Sequence, residues 1–96
     1  MKQYKYKGQS VSLKTDTYQN NGTLAVLMEH EDGEIDVITT NLNSPFQSDS
    51  MAFLDTNNYP GIDKWIEKNR LGLPMGIQEP SGFCKYPLYT LFIPAL

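Results

Sequence analysis

The sequence predicts an α+β fold: a small antiparallel sheet of four or five strands with one short helix packed on one face. Three observations carry that expectation. Residues 10–14 and 23–40 alternate side chains with the period-2 rhythm of strands. Asp32-Gly33 interrupts the second stretch with hairpin turn chemistry. Ile62, Trp65 and Ile66 share one face at helical spacing, with Pro60 ahead of them and Gly72 and Pro74 behind.

The elements follow in order along the chain. Tyr4 and Tyr6 alternate with Lys5 and Lys7, as in an edge strand whose tyrosines pack on a core and whose lysines discourage strand addition. Val11 and Leu13 alternate with Ser10, Ser12 and Lys14 in a half-buried strand. Asn20-Asn21-Gly22 reads as a tight turn, because Asn and Gly tolerate positive φ. From Thr23 to Glu29 both faces are apolar, Leu24, Val26 and Met28 on one and Ala25 and Leu27 on the other, which predicts a central strand. After Asp32-Gly33 the return strand alternates Ile35, Val37 and Thr39 with Asp36, Ile38 and Thr40.

Asn43 to Ser50 is polar around Pro45 and reads as loop, and Met51 to Leu54 as a short strand or the end of that loop. Pro60 suits the first turn of a helix. Asp63, Lys64, Glu67 and Lys68 face outward, Gly72 serves as C-terminal cap, and Pro74 stops continuation. That gives a helix of about ten residues, too short to stand without packing, with Trp65 docking it on the sheet. A loop containing Pro80, Ser81 and Gly82 precedes a last strand from Phe83 to Ile93. Pro87 within it places that strand at an edge or interrupts it.

Ninety-six residues form one domain, residues 1–96. Apolar residues make up 40% of the chain and charged residues 20%, a globular rather than disordered balance. A net charge of −3 argues against direct nucleic-acid binding, which rests on neutralising phosphates. One cysteine, Cys84, excludes an internal disulfide. Met1 to Gly8 lacks the apolar run of a signal peptide, and no segment approaches a membrane span. The expected location is the cytoplasm, with no membrane partner.

Asn41-Leu42, Asp55 with Asn57-Asn58, Gly61-Ile62, Pro80-Ser81-Gly82-Phe83 and Pro87 occur in an order that resembles domain-of-unknown-function family 4313, a family of small bacterial proteins. The resemblance runs from the Tyr6-to-Leu13 strand to Leu91. It implies a cytoplasmic bacterial accessory protein, often carried on a mobile element of gut bacteria. It implies no activity and no functional residue. The Phe83-Cys84-Lys85-Tyr86 stretch is more aromatic than the family's pattern.

The most conspicuous constellation is acidic. Glu29, Glu31, Asp32, Glu34 and Asp36 surround His30 at the hairpin tip. Carboxylates with an imidazole can hold a divalent ion, but the stretch lacks calcium-loop spacing, and strand alternation sends Glu29 and Glu31 away from His30 and Asp32. A solvated turn is the favoured reading and an acidic docking surface the second. Tyr4-Lys5-Tyr6-Lys7 combines rings and cations as single-strand binders do, yet alternation points the rings and charges apart. Cys84 and Ser81 have no base at hand, since the one histidine sits on the far hairpin. No phosphate-cradling glycine motif stands out.

The expectation is therefore a non-enzymatic interaction or accessory module of a mobile element, without cofactor or metal. Its protein partner would be met through Glu31, Asp32 and Glu34, or through aromatic anchors Tyr86, Tyr89 and Phe92 of the last strand. That strand, running into Ile93-Pro94-Ala95-Leu96, could also pair with a second copy through a free edge. The alternative is an acidic nucleic-acid mimic or inhibitor acting on a host defence or DNA-processing system.

Overall fold

The computed structural model describes residues 2–94. Met1, Ala95 and Leu96 lie outside the described residues, so expectations touching either terminus are followed only as far as Lys2 and Pro94. The described residues form eight strands and one helix: β1 (Tyr4–Tyr6), β2 (Gln9–Thr17), β3 (Leu24–His30), β4 (Ile35–Val37), β5 (Thr39–Thr40), β6 (Met51–Leu54), α1 (Ile62–Lys68), β7 (Gly72–Ser81) and β8 (Cys84–Leu91). They form two four-stranded antiparallel sheets, ordered β1-β2-β3-β4 and β5-β6-β8-β7. The expected single sheet of four or five strands is thus corrected to a mostly β fold with a small helix.

The division falls at one residue. The return strand of the predicted hairpin stops at Val37, and Ile38 carries the chain to the second sheet. The Ile38 N–H donates to the Val26 carbonyl (3.0 Å), while the Ile38 carbonyl accepts from the Asp55 N–H (2.9 Å). One residue therefore serves both sheets, and its side chain is fully buried between them.

Alternation decides what faces the core. In the first sheet Tyr4 lies opposite Val11, and Leu13 opposite Met28. These residues, with Tyr6, Leu24 and Val26, pack against Ala52, Leu54, Tyr89 and Leu91 of the second sheet and Ile62 and Ile66 of the helix. Leu24, Val26 and Met28 are inside as expected, and β3 is central with β2 and β4 on either side. Trp65 is half-buried at the margin. Its ring meets Tyr4 and Tyr6 edge-on, and its Nε1–H donates to the Lys5 carbonyl at 2.7 Å. It docks the helix on the edge strand β1.

The helix has seven residues, shorter than expected. Pro60 precedes it, and Gly61, at φ 83°, is the N-cap. Its end is a Schellman arrangement: the Leu71 N–H bonds the Ile66 carbonyl (2.9 Å) and the Arg70 N–H the Glu67 carbonyl (3.0 Å). Arg70, not a glycine, takes the left-handed position at φ 58°. Gly72 is not the cap. It opens β7, where a Cβ would lie 2.7 Å from the Thr90 carbonyl oxygen and 2.9 Å from Ile66 Cγ2.

β7 is the element that sequence patterning missed, because Gly72, Pro74, Gly76 and Pro80 read as breakers. It is an edge strand with an irregularity between Pro74 and Gln78, a place where such residues are tolerated. Pro80 and Ser81 are its last residues rather than loop, and Gly82-Phe83 is a two-residue turn. The last strand, β8, is not at an edge: β6 and β7 flank it. Nor is it interrupted: β8 runs unbroken through Pro87, which pairs with Gln78 just beyond the reach of β6 and beside the β7 irregularity, where its missing N–H is tolerated. The polar segment 43–50 is loop, and Gln47 organises it. Its Oε1 accepts from the Leu42 and Ser44 N–H groups, and its Nε2 donates to Thr23 and Asn41.

Candidate functional site

The acidic hairpin does not keep its carboxylates together. Glu29 projects from the outer face and pairs with Lys14 at 2.9 Å. His30 points to the inner face, where Nε2 meets Asp36 Oδ2 at 2.7 Å and Nδ1 meets Gln9 Oε1 at 3.2 Å. The Tyr59 hydroxyl donates to the other oxygen of Asp36, and burial together with that carboxylate holds the Tyr59 phenol above its usual range. Glu31, Asp32 and Glu34 remain exposed at the tip. The tip itself is ordered: Gly33 takes φ 91°, the His30 N–H bonds the Glu34 carbonyl (2.8 Å), and Asp32 Oδ1 accepts the Glu34 N–H (2.9 Å). Among the described residues no group of three or more His, Cys, Asp or Glu could hold a metal ion.

The tip leads directly into β4, an edge strand. Two bonds fix how its backbone is turned. The Ile38 N–H bonds Val26 and the His30 N–H bonds Glu34. In the alternating antiparallel pattern, Ile35 and Val37, opposite Glu29 and Leu27, then direct their N–H and C=O groups away from β3. Their side chains lie on the outer face and are 54% and 41% exposed. Half-buried Leu27 extends this apolar strip across to β3.

The other edges are defended. β1 carries the exposed Lys5 and is followed by Lys7, as the Tyr-Lys alternation predicts. β5 has only two residues. β7 carries Pro74, Pro80 and its irregularity. β7 also bares Leu73 and Met75, but Pro74 between them removes a backbone N–H. Among the described edges β4 is the one that joins bare apolar side chains to an acidic rim with no proline in the strand. Sequence patterning identified the rim. It missed Ile35 and Val37, because alternation does not say which face is covered.

The aromatic residues proposed for the last strand do not form one surface. Tyr89 is 2% exposed and belongs to the core, so it cannot anchor a partner. Tyr86 is half-buried, and burial, then neighbouring Cys84, raises its phenol. Phe92 is exposed just past β8, with its N–H bonded to the Leu71 carbonyl at 2.7 Å. The fully exposed ring is Phe83, in the turn after β7. With β6 and β7 on either side, β8 offers no free edge to a second copy over Leu88–Thr90. Cys84 is half-buried at the start of β8, in the sheet that does not contain His30.

Among the described residues no helix is long and apolar enough to cross a membrane. A family model described as "Domain of unknown function (DUF4313)" matches residues 12–94. No curated protein and no solved structure matches the chain.

Proposed function

The chain belongs to the DUF4313 family, and from its surfaces we propose a non-enzymatic protein-interaction module that accepts a strand of its partner along β4. The observation supporting this is the undefended edge: Ile35 and Val37 present both backbone groups and apolar side chains to solvent. Strand addition takes affinity from main-chain hydrogen bonds and specificity from alternate side chains. Glu31, Asp32 and Glu34 border the strip and favour a basic partner, speeding encounter through long-range attraction. The accessory role on a bacterial mobile element, in the cytoplasm, is the setting we attach to this reading. Nucleic-acid mimicry has weaker support, because Glu29 and Asp36 are engaged by Lys14 and His30, leaving three free carboxylates at the tip.

The test is affinity capture from the native host with wild-type protein and Val37→Pro, followed by kinetics on the captured partner. The Val37 N–H faces the open edge, so proline there blocks strand addition and spares the β3–β4 ladder. Val37→Pro should release the partner faster. The triple change Glu31→Gln, Asp32→Asn, Glu34→Gln should slow association several-fold with little effect on dissociation. Wild-type kinetics for both variants would refute the reading.

A further inference from the structure

A second surface, unconnected with β4, lies where the N-terminal segment and β1 meet the end of α1. Tyr4 and Trp65 wall an open cleft of about 500 Å³ there, and Lys2, Lys5, Lys68 and Arg70 line it. The protein is acidic overall, with eight basic and eleven acidic side chains. Half of its basic residues nevertheless line this one cleft, and no Asp or Glu does. The Lys5 ammonium also bonds Ser10 Oγ at 3.0 Å, so Lys2, Lys68 and Arg70 carry the charge argument. Lys14 and Lys64 pair with carboxylates elsewhere. Among the described residues, none of the four cleft cations does.

Local helix chemistry does not account for this concentration. A helix C-terminus attracts cations through unsatisfied carbonyls, but here three of the last four, those of Trp65, Ile66 and Glu67, are already occupied. Asn69 bonds the Trp65 carbonyl with its N–H (3.1 Å) and its Nδ2 (2.9 Å), and Leu71 and Arg70 cap Ile66 and Glu67. Arg70 also holds a left-handed backbone conformation, φ 58°, that a glycine would adopt without strain. Strain retained at a charged residue that lines a cleft points to use of its side chain. The two banks are braced as well. The Trp65 Nε1–H to Lys5 carbonyl bond (2.7 Å) ties α1 to β1, and Lys2 lies over the Tyr4 ring at 5.5 Å. A braced cleft keeps its charges in place before a ligand arrives.

We propose that this cleft binds an oligophosphate, either inorganic or as the phosphate chain of a nucleotide. A singly charged anion would leave most of the cleft's positive charge unmatched, whereas a di- or triphosphate matches Lys2, Lys68 and Arg70. The Arg70 guanidinium suits bidentate phosphate recognition, and the lysines serve as point charges.

Trp65 is the only tryptophan, so its fluorescence reports the cleft directly. Inorganic tripolyphosphate should change that emission saturably, and ATP should bind by calorimetry. Equal affinities would assign recognition to the phosphate chain alone, and tighter ATP binding would assign it to a nucleotide; either supports the proposal. The double variant Lys68→Gln, Arg70→Gly should bind at least about tenfold more weakly. Glycine is the preferred residue at that backbone position, so loss of folding is not the expected cause, and a thermal melt checks it. Lys2→Gln, outside every strand and helix, should weaken binding without touching the helix cap. Lys85→Gln, away from the cleft, should leave it unchanged. Absence of a saturable response at millimolar tripolyphosphate would overturn the proposal. So would equal weakening by Lys85→Gln, or tighter binding of a single-stranded oligonucleotide than of either phosphate compound.

Discussion

The hydroxyl of Tyr89 donates a 2.5 Å hydrogen bond to the carboxylate of Glu67, joining an interior strand of the second sheet to the outer flank of the helix. The bond moves both groups. Burial, and then the Glu67 carboxylate, raises the Tyr89 phenol well above its usual range, and the phenol's hydrogen bond lowers Glu67.

The pH dependence follows from those directions. Tyr89 has a folded pKa above its unfolded value of 10.0. Its contribution to stability is therefore complete below pH 10 and is lost as pH rises toward the folded value. Glu67 has a folded pKa below 4.5, so its contribution is present above that pH and is lost as pH falls through the folded value. Tyr89→Phe should flatten both limbs of the stability–pH curve in urea unfolding. Since Tyr18, Tyr59 and Tyr86 are also raised, the difference between wild type and variant isolates the pair. Parallel curves for the two proteins would disprove the coupling.

Gly72→Ala should destabilise by about 1–3 kcal/mol, the usual cost of forcing extra volume into a packed site. The added Cβ would meet a backbone oxygen, Thr90 O, at 2.7 Å, and Leu91 Cδ2 at 2.8 Å. A backbone oxygen in a paired strand cannot step aside as a side-chain tip can. An unchanged urea midpoint would show that β7 shifts freely against β8.

Leu24→Ala should cost about 2–5 kcal/mol, the range for a buried leucine. Leu24 packs with Val26 and Met28 in the core shared by both sheets and the helix. A loss below about 0.5 kcal/mol, typical of surface positions, would contradict that placement.

Millimolar calcium, magnesium or zinc should leave the melting temperature unchanged. Specific binding to the folded state raises it by mass action, and Glu29 and Asp36 already have partners in Lys14 and His30. A saturable rise with one ion would show that the tip rearranges to bind it.

The first half of the chain was readable because its signals are local. Turn residues at Asn20–Gly22 and Asp32-Gly33 bound β3, and period-2 alternation marks its faces. The split into two sheets was not readable: the alternation of residues 35–40 continues unbroken through Ile38, so nothing local marks the change of partner. β7 was hidden by its own Pro and Gly, which at an edge cost little and inside a sheet would be prohibitive. Pro87 predicts an edge or an interruption for β8, and β8 shows neither; the edge reading in turn makes Tyr89 an exposed anchor, which its burial overturns. The exposed acids at the tip were legible from composition. The basic cleft was not, because Lys2 and Lys5 are separated from Lys68 and Arg70 by more than sixty positions, and only tertiary packing brings them together.

Ile38 also sets where the chain can change length. With its N–H committed to one sheet, its carbonyl to the other and its side chain between them, one inserted or deleted residue between Val37 and Thr39 would reverse the facing of every position on one side of the junction. Either Asp36 would turn from His30, or Thr39 and Thr40 would lose register with Leu54 and Phe53. The turns at Asn20–Gly22 and Glu31–Glu34 have no such double obligation. Peptide tags or extra loop residues introduced by engineering belong there, and a graft at residue 38 would separate the two sheets.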